Sequence, residues 1–153
     1  MLTRRQLLKH SALLTVLGQL PYQQLFAKEA KKKFRIGACD WSLGKDSNIE
    51  AFDVAKQIGL DGIMVNIGSE KNNLHLREPS LQQAYLAASA KTGVKITSIA
   101  IGELNNVPYK LDPRTEEWVW DSISVAKNLG VSVILLAFFS KNDLRNDEKG
   151  KEK

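Results

Sequence analysis

Cysteine is almost missing from this chain: Cys39 stands alone among 153 residues. One thiol excludes an intramolecular disulfide, and no Cys/His cluster of zinc-binding spacing occurs. Lying inside an apolar stretch, Cys39 reads as a small buried hydrophobe rather than a reactive thiol. Histidine is nearly as scarce, with His10 and His75 only, and there is no HExxH motif. Gly37 and Gly44 lack the spacing of a phosphate-cradling loop, and no Gly-x-Ser-x-Gly nucleophile elbow is present. No apolar run is long enough to cross about 30 Å of hydrocarbon, so a stable membrane anchor is not expected.

Excess positive charge is confined to one end. The formal charge is +5, but residues 1–27 contain Arg4, Arg5 and Lys9 and no acid. Lys28, Lys31, Lys32, Lys33 and Arg35 then face only Glu29, which leaves the rest of the chain slightly acidic. A nucleic-acid surface needs a basic stripe on the folded body, so no nucleic-acid partner is expected. The start has the order of a secretory signal: a basic Thr3-Arg4-Arg5-Gln6-Leu7-Leu8-Lys9, the apolar run Ser11 to Gly18, Pro21, then Ala27 at the cut. Its paired arginines resemble the twin-arginine consensus, which implies export to the periplasm. The expected organisation is a signal over 1–27, a basic linker over 28–33, a folded domain over 34–140, and a charged tail or the start of an incomplete helix over 141–153.

What the chain does have is a joint repeated three times: a helix end, a glycine, an apolar strand. Ala55-Lys56-Gln57-Ile58-Gly59-Leu60 precedes Gly62 to Val65, Ala90-Lys91-Thr92-Gly93-Val94 precedes Ile96 to Ile99, and Ala126-Lys127-Asn128-Leu129-Gly130-Val131 precedes Val133 to Leu136. Glycine just past a helix accepts the left-handed conformation that closes the last turn, and lysine suits the negative end of the dipole. The spacing fits one strand plus one crossover helix, hence β-α-β-α-β-α-β. Strands are predicted from Phe34 to Cys39, Gly62 to Ile67, Lys95 to Ile101 and Val131 to Phe139. The last is continuously apolar, as a parallel strand covered on both faces should be. The first helix is expected to be capped by Asp46, Ser47 or Asn48, with Ile49, Phe52, Ala55 and Ile58 as its apolar stripe. The second starts near Pro79, with Leu81, Tyr85, Ala88 and Thr92 inward. Asp112-Pro113 opens the third, whose buried face runs from Trp118 to Leu129 and includes Ile123.

Helix-to-strand joints are short, and strand-to-helix loops are long and polar. In βα proteins the long loops leave the C-terminal strand ends, where sites are built. That places Asp40, Trp41, Asn66, His75, Arg77, Glu103 and Asn105 within reach of a ligand. Asp40 and Trp41 either hold a sugar hydroxyl and stack on its apolar face, or are a turn aspartate and a packing tryptophan. Glu103 has the same two readings. His75 reads as a solvated loop histidine rather than a metal ligand.

These elements leave the fold open between part of a (β/α)8 barrel and a small open parallel α/β sheet. Phe34-Arg35-Ile36-Gly37 leading to Asp40-Trp41, the Ala-Lys-x-x-Gly joints, and Ala126 to Val131 feeding a long apolar strand resemble the sugar phosphate isomerase/epimerase family. That family lies in the xylose-isomerase-like TIM barrel superfamily, which includes an apurinic endonuclease branch. The resemblance, over about 34–140, implies a partial TIM barrel of four strands and three helices. It also implies a sugar or sugar phosphate ligand bound by Asp40, Trp41, Asn66 and Glu103, and a divalent metal in the complete fold. A complete barrel takes about 250 residues, and the family's metal ligands and proton-moving glutamates come mainly from later strands. No catalytic or metal residue is therefore assigned, and the chain alone is expected to be inactive. The alternatives are a non-catalytic carbohydrate-binding or interaction module that self-associates, and, less favoured by the acidic body, an abasic-site endonuclease-like enzyme.

Overall fold

In a computed structural model, residues 34–152 are described. The expectations on Arg4, Arg5 and Ala27 and on the 28–33 linker lie outside them. The elements are β1 (Gly37–Cys39), α1 (Ala51–Ile58), β2 (Gly62–Asn66), α2 (Pro79–Thr92), β3 (Lys95–Ile101), α3 (Arg114–Leu129), β4 (Ile134–Leu136) and a one-turn α4 (Glu148–Lys151). The strands form one parallel sheet in the order β1-β2-β3-β4, so the α/β class read from the repeat holds. The repeated joint is what makes it regular. Gly59, Gly93 and Gly130 each close a helix in the left-handed region, at φ 80°, 79° and 69°. At the first and third joints the next residue folds back, Leu60 N–H on Ala55 O and Val131 N–H on Ala126 O, both at 2.9 Å.

Sequential parallel strands joined by right-handed crossovers put every helix on the same face of the sheet. Burial follows that rule. Ile63, Val65, Ile67, Ile99 and Ile101 are fully covered, packed with Phe52, Tyr85, Trp118, Val125 and Leu129 from the helices. Each such side chain stabilises the fold by about 1.5–3 kcal/mol. Phe52 and Tyr85 meet edge-to-face at 5.8 Å. On the opposite face the in-register Cys39, Met64 and Ser98 are only half-buried.

One-sided cover corrects several expectations. β4 is three residues long rather than 131–139, and it is covered on one face: Val133 is 56% and Phe139 66% exposed. β1 begins at Gly37, leaving Phe34 and Ile36 exposed before it. α1 starts at Ala51 without a side-chain cap, although Asn48 Oδ1 accepts the Glu50 N–H at 2.9 Å one turn earlier. Ala51, not Ile49 or Ile58, completes its buried stripe. On α3, Trp118 is core, whereas Trp120 and Ile123 face outward. α2 hides a polar residue, Gln82, in its inner face.

Candidate ligand cleft

Neighbouring strands in register present their side chains in rows. One row, Asn66, Ala100 and Leu135, crosses β2, β3 and β4 on the face away from the helices near the C-terminal strand ends. All three line a cleft of about 380 Å³. Its polar walls are Asp46, Ser69, Glu103, Asn105 and Asn106, and Trp41 and Phe139 supply aromatic surface. Of the four residues expected to bind substrate, Trp41, Asn66 and Glu103 come together here, and Asn105 joins them.

Asp40 is placed differently. It is fully buried at the end of β1 and does not line the cleft. Its Oδ1 accepts the Trp41 N–H at 2.7 Å, and its Oδ2 accepts those of Asn66 and Ser47 at 2.9 and 3.1 Å. One carboxylate thus fixes both ends of the loop 40–47 and ties them to β2. Burial pushes its pKa up to about 6, assisted by the charge of Asp46 and opposed by the three N–H donors. Asp40 positions Trp41 and the cleft rim.

Asn66 continues the scaffold. Its Nδ2 donates to Asp46 Oδ1 at 2.8 Å, and its Oδ1 accepts the Gly102 N–H at 3.2 Å. The loops after β1 and β3 are therefore tied through one amide at the end of β2. Asn105 Oδ1 accepts the Phe139 N–H at 3.1 Å, which leaves its amide N–H groups for the cleft. Burial raises the Glu103 pKa, as does the charge of Glu70, while a bond to Asn106 and the charge of Lys71 oppose the rise.

His75 and Arg77 stand outside the cleft. Arg77 pairs with Asp121 at 2.8 Å. His75 is not a solvated loop histidine: it packs edge-to-face on Tyr85 at 6.3 Å, and its Nε2 is buried with no partner among the described residues. Burial lowers its pKa.

Among the described residues no three His, Cys, Asp or Glu side chains gather as ligands. Of the two cleft carboxylates, Asp46 already accepts from Asn66 Nδ2. What remains is a surface of carboxylate, amide and hydroxyl groups beside an indole, with no lysine or arginine in the lining. The loop-end reading reached Trp41, Asn66, Glu103 and Asn105. It missed Asp46, read there as a helix cap, and Ser69, Asn106 and Phe139. Phe139 could have been found only by knowing that its face of the sheet is bare. No helix among the described residues is long and apolar enough to cross a membrane. No protein-family model matches the chain, and no curated protein matches it.

Proposed function

We propose that the chain is part of a sugar isomerase/epimerase-type (β/α)8 barrel, and that its cleft binds an uncharged sugar without turning it over. The observation that carries this is the lining: an indole, 39% exposed, beside Glu103, Asn105, Asn106 and Ser69. A pyranose offers one apolar C–H face for an aromatic ring and a rim of hydroxyls for carboxylate and amide groups. The absence of cations from the lining favours a free sugar over its phosphate ester, since phosphate recognition uses lysine, arginine or a helix N-terminus. It also disfavours the endonuclease reading. No proton-transfer step is assigned, because neither a metal site nor a pair of opposed bases is present in the described residues.

Titration of the full chain with aldoses and ketoses, followed by tryptophan fluorescence and ligand-observed NMR, tests this reading. Saturable binding on the order of 1 mM, or about −4 kcal/mol, is expected, lost in Trp41→Ala and weaker for phosphorylated sugars. No saturation by any free sugar, or tighter binding of the phosphates, would sink it. The paired arginines carry a proposal on location: export by the twin-arginine route, blocked when Arg4 and Arg5 are both changed to lysine. Unimpaired export of that variant would refute it.

A further inference from the structure

Large apolar side chains are exposed in a pattern. Phe34 and Ile36 precede β1, Ile49 precedes α1 beside it, and Ile58 ends α1. Trp120 and Ile123 lie on α3, and Val133, Leu135 and Phe139 on or around β4. Among the described residues, β2, α2 and β3, the middle of the fold, expose none. Apart from Trp41 and Leu111, which lie in the loops after β1 and β3, the exposed large apolar side chains are at the two sheet edges and on the helices next to them.

The two edges are also complementary. β1 and β4 end the sheet, and all strands run the same way. A parallel strand beside the outer edge of β1 is what β4 of another molecule can supply, and the reverse. A two-fold axis makes both pairings at once and leaves no edge. Four strands doubled give eight, the number at which a parallel sheet closes around an interior that side chains can fill. The face away from the helices has residues of the right size for such an interior: Cys39, Met64, Ser98, Val133 and Leu135, half-buried or exposed in one copy, beside Ala100 and Ala137, which are already buried. Unpaired edges with apolar flanks template this kind of association.

We infer that two copies of this chain pair β1 with β4 about a two-fold axis and close an eight-stranded parallel barrel. The bare faces become its interior, and the two clefts share one mouth. Each cleft is open on the β4 side in a single copy, around Leu135 and Phe139, and gains a wall from β1 of the partner copy. Such pairing would hold whatever the cleft binds.

Sedimentation of the full chain, with the labelling rate of Cys39, the one native thiol, tests the closed pair. A discrete dimer is expected at micromolar concentration. Val133→Lys puts a charge on a side chain exposed in one copy but interior in the pair. It should give a folded monomer by circular dichroism, while Gln83→Lys on the outer face of α2 stays dimeric. Cys39 lies on β1, at the other edge from Val133, yet should be labelled about tenfold faster in the Val133→Lys monomer. Four results would each overturn the proposal. A monomeric wild-type chain would show that the two edges do not pair. Open-ended polymers would show edges that do not close. A Val133→Lys dimer would place the interface elsewhere, and a Cys39 rate independent of association would leave β1 out of it. If Val133→Lys fails to fold, dilution of the wild type through its dissociation range provides the same comparison of labelling rates.

Discussion

Asp40 and Asn66 are 26 positions apart, yet Asp40 Oδ2 accepts the Asn66 backbone N–H at 2.9 Å inside the fold. That bond joins the end of β1 to the end of β2 at the floor of the cleft. Because the same carboxylate also holds Trp41 and Ser47, the geometry of the aromatic wall depends on a residue no ligand touches.

Asp40→Ala should therefore act on stability and on the cleft together. It leaves three N–H groups without their acceptor; the buried one of Asn66 costs about 1–3 kcal/mol, and the half-buried ones of Trp41 and Ser47 cost less because water can reach them. The expected result is a drop of several degrees in Tm and loss of sugar binding with Trp41 still present. Asp40→Asn keeps one oxygen acceptor and should lose less than half as much. Equal melting of the Ala variant and the wild type would show that the loop holds itself.

Asp40 also predicts a pH dependence. Its pKa is raised in the fold, to about 6 from an ordinary 3.8. A carboxyl that holds its proton more tightly when folded contributes stability that is full below about pH 4. That contribution is lost as the pH rises through 6. The difference amounts to about 3 kcal/mol by pH 7.5. His75, whose pKa is lowered by burial, works in the opposite sense, favouring the fold as pH rises. Its contribution cancels when wild type and Asp40→Asn are compared. The stability of Asp40→Asn relative to wild type, from chemical denaturation, should rise between pH 4 and 7.5. A flat difference would mean that Asp40 ionises normally.

The helix joints were legible because each is local: glycine, lysine and the following apolar residue act within one turn of chain. The sheet itself followed from their spacing. The extent of β4 was not, because a continuous apolar run is the same whether one face of the strand or both are covered. Val133 and Phe139 are exposed for a reason that lies in chain topology rather than in neighbouring residues. Asp40 was legible as a strand-end carboxylate, but its direction was set by where the N–H groups of Ser47 and Asn66 came to lie. His75 sits in a polar stretch, and only the packing of Tyr85 from α2 shows that its ring is partly buried.

Tyr85 separates packing from polarity. Its ring is buried against Phe52 and His75, while its Oη has no hydrogen-bond partner among the described residues. Burial, with the charges of Asp40 and Asp46 nearby, holds its pKa well above the usual phenol value. Tyr85→Phe keeps the ring and gives up no protein hydrogen bond, so Tm should be unchanged or higher. Tyr85→Ala should cost about 3–5 kcal/mol. A Phe variant destabilised by more than about 1 kcal/mol would reveal a bond worth keeping.

Gln82 is the buried polar group that locks the two long helices. Its Nε2 donates to the carbonyls of Leu76 and Arg77 at 3.0 and 3.2 Å, fixing the turn before α2. Its Oε1 accepts from Asn128 Nδ2 on α3 at 2.9 Å. Gln82→Leu fills similar space but strands two carbonyls and an amide, a loss of about 2–4 kcal/mol. Asn128→Ala removes only the bond between helices and should cost about 1 kcal/mol. In a double-mutant cycle the pair should show a coupling of about 0.5–1.5 kcal/mol, because both changes break one shared bond. Strict additivity would mean that α2 and α3 are held by their apolar contacts alone, and that Gln82 serves only the turn at Leu76 and Arg77.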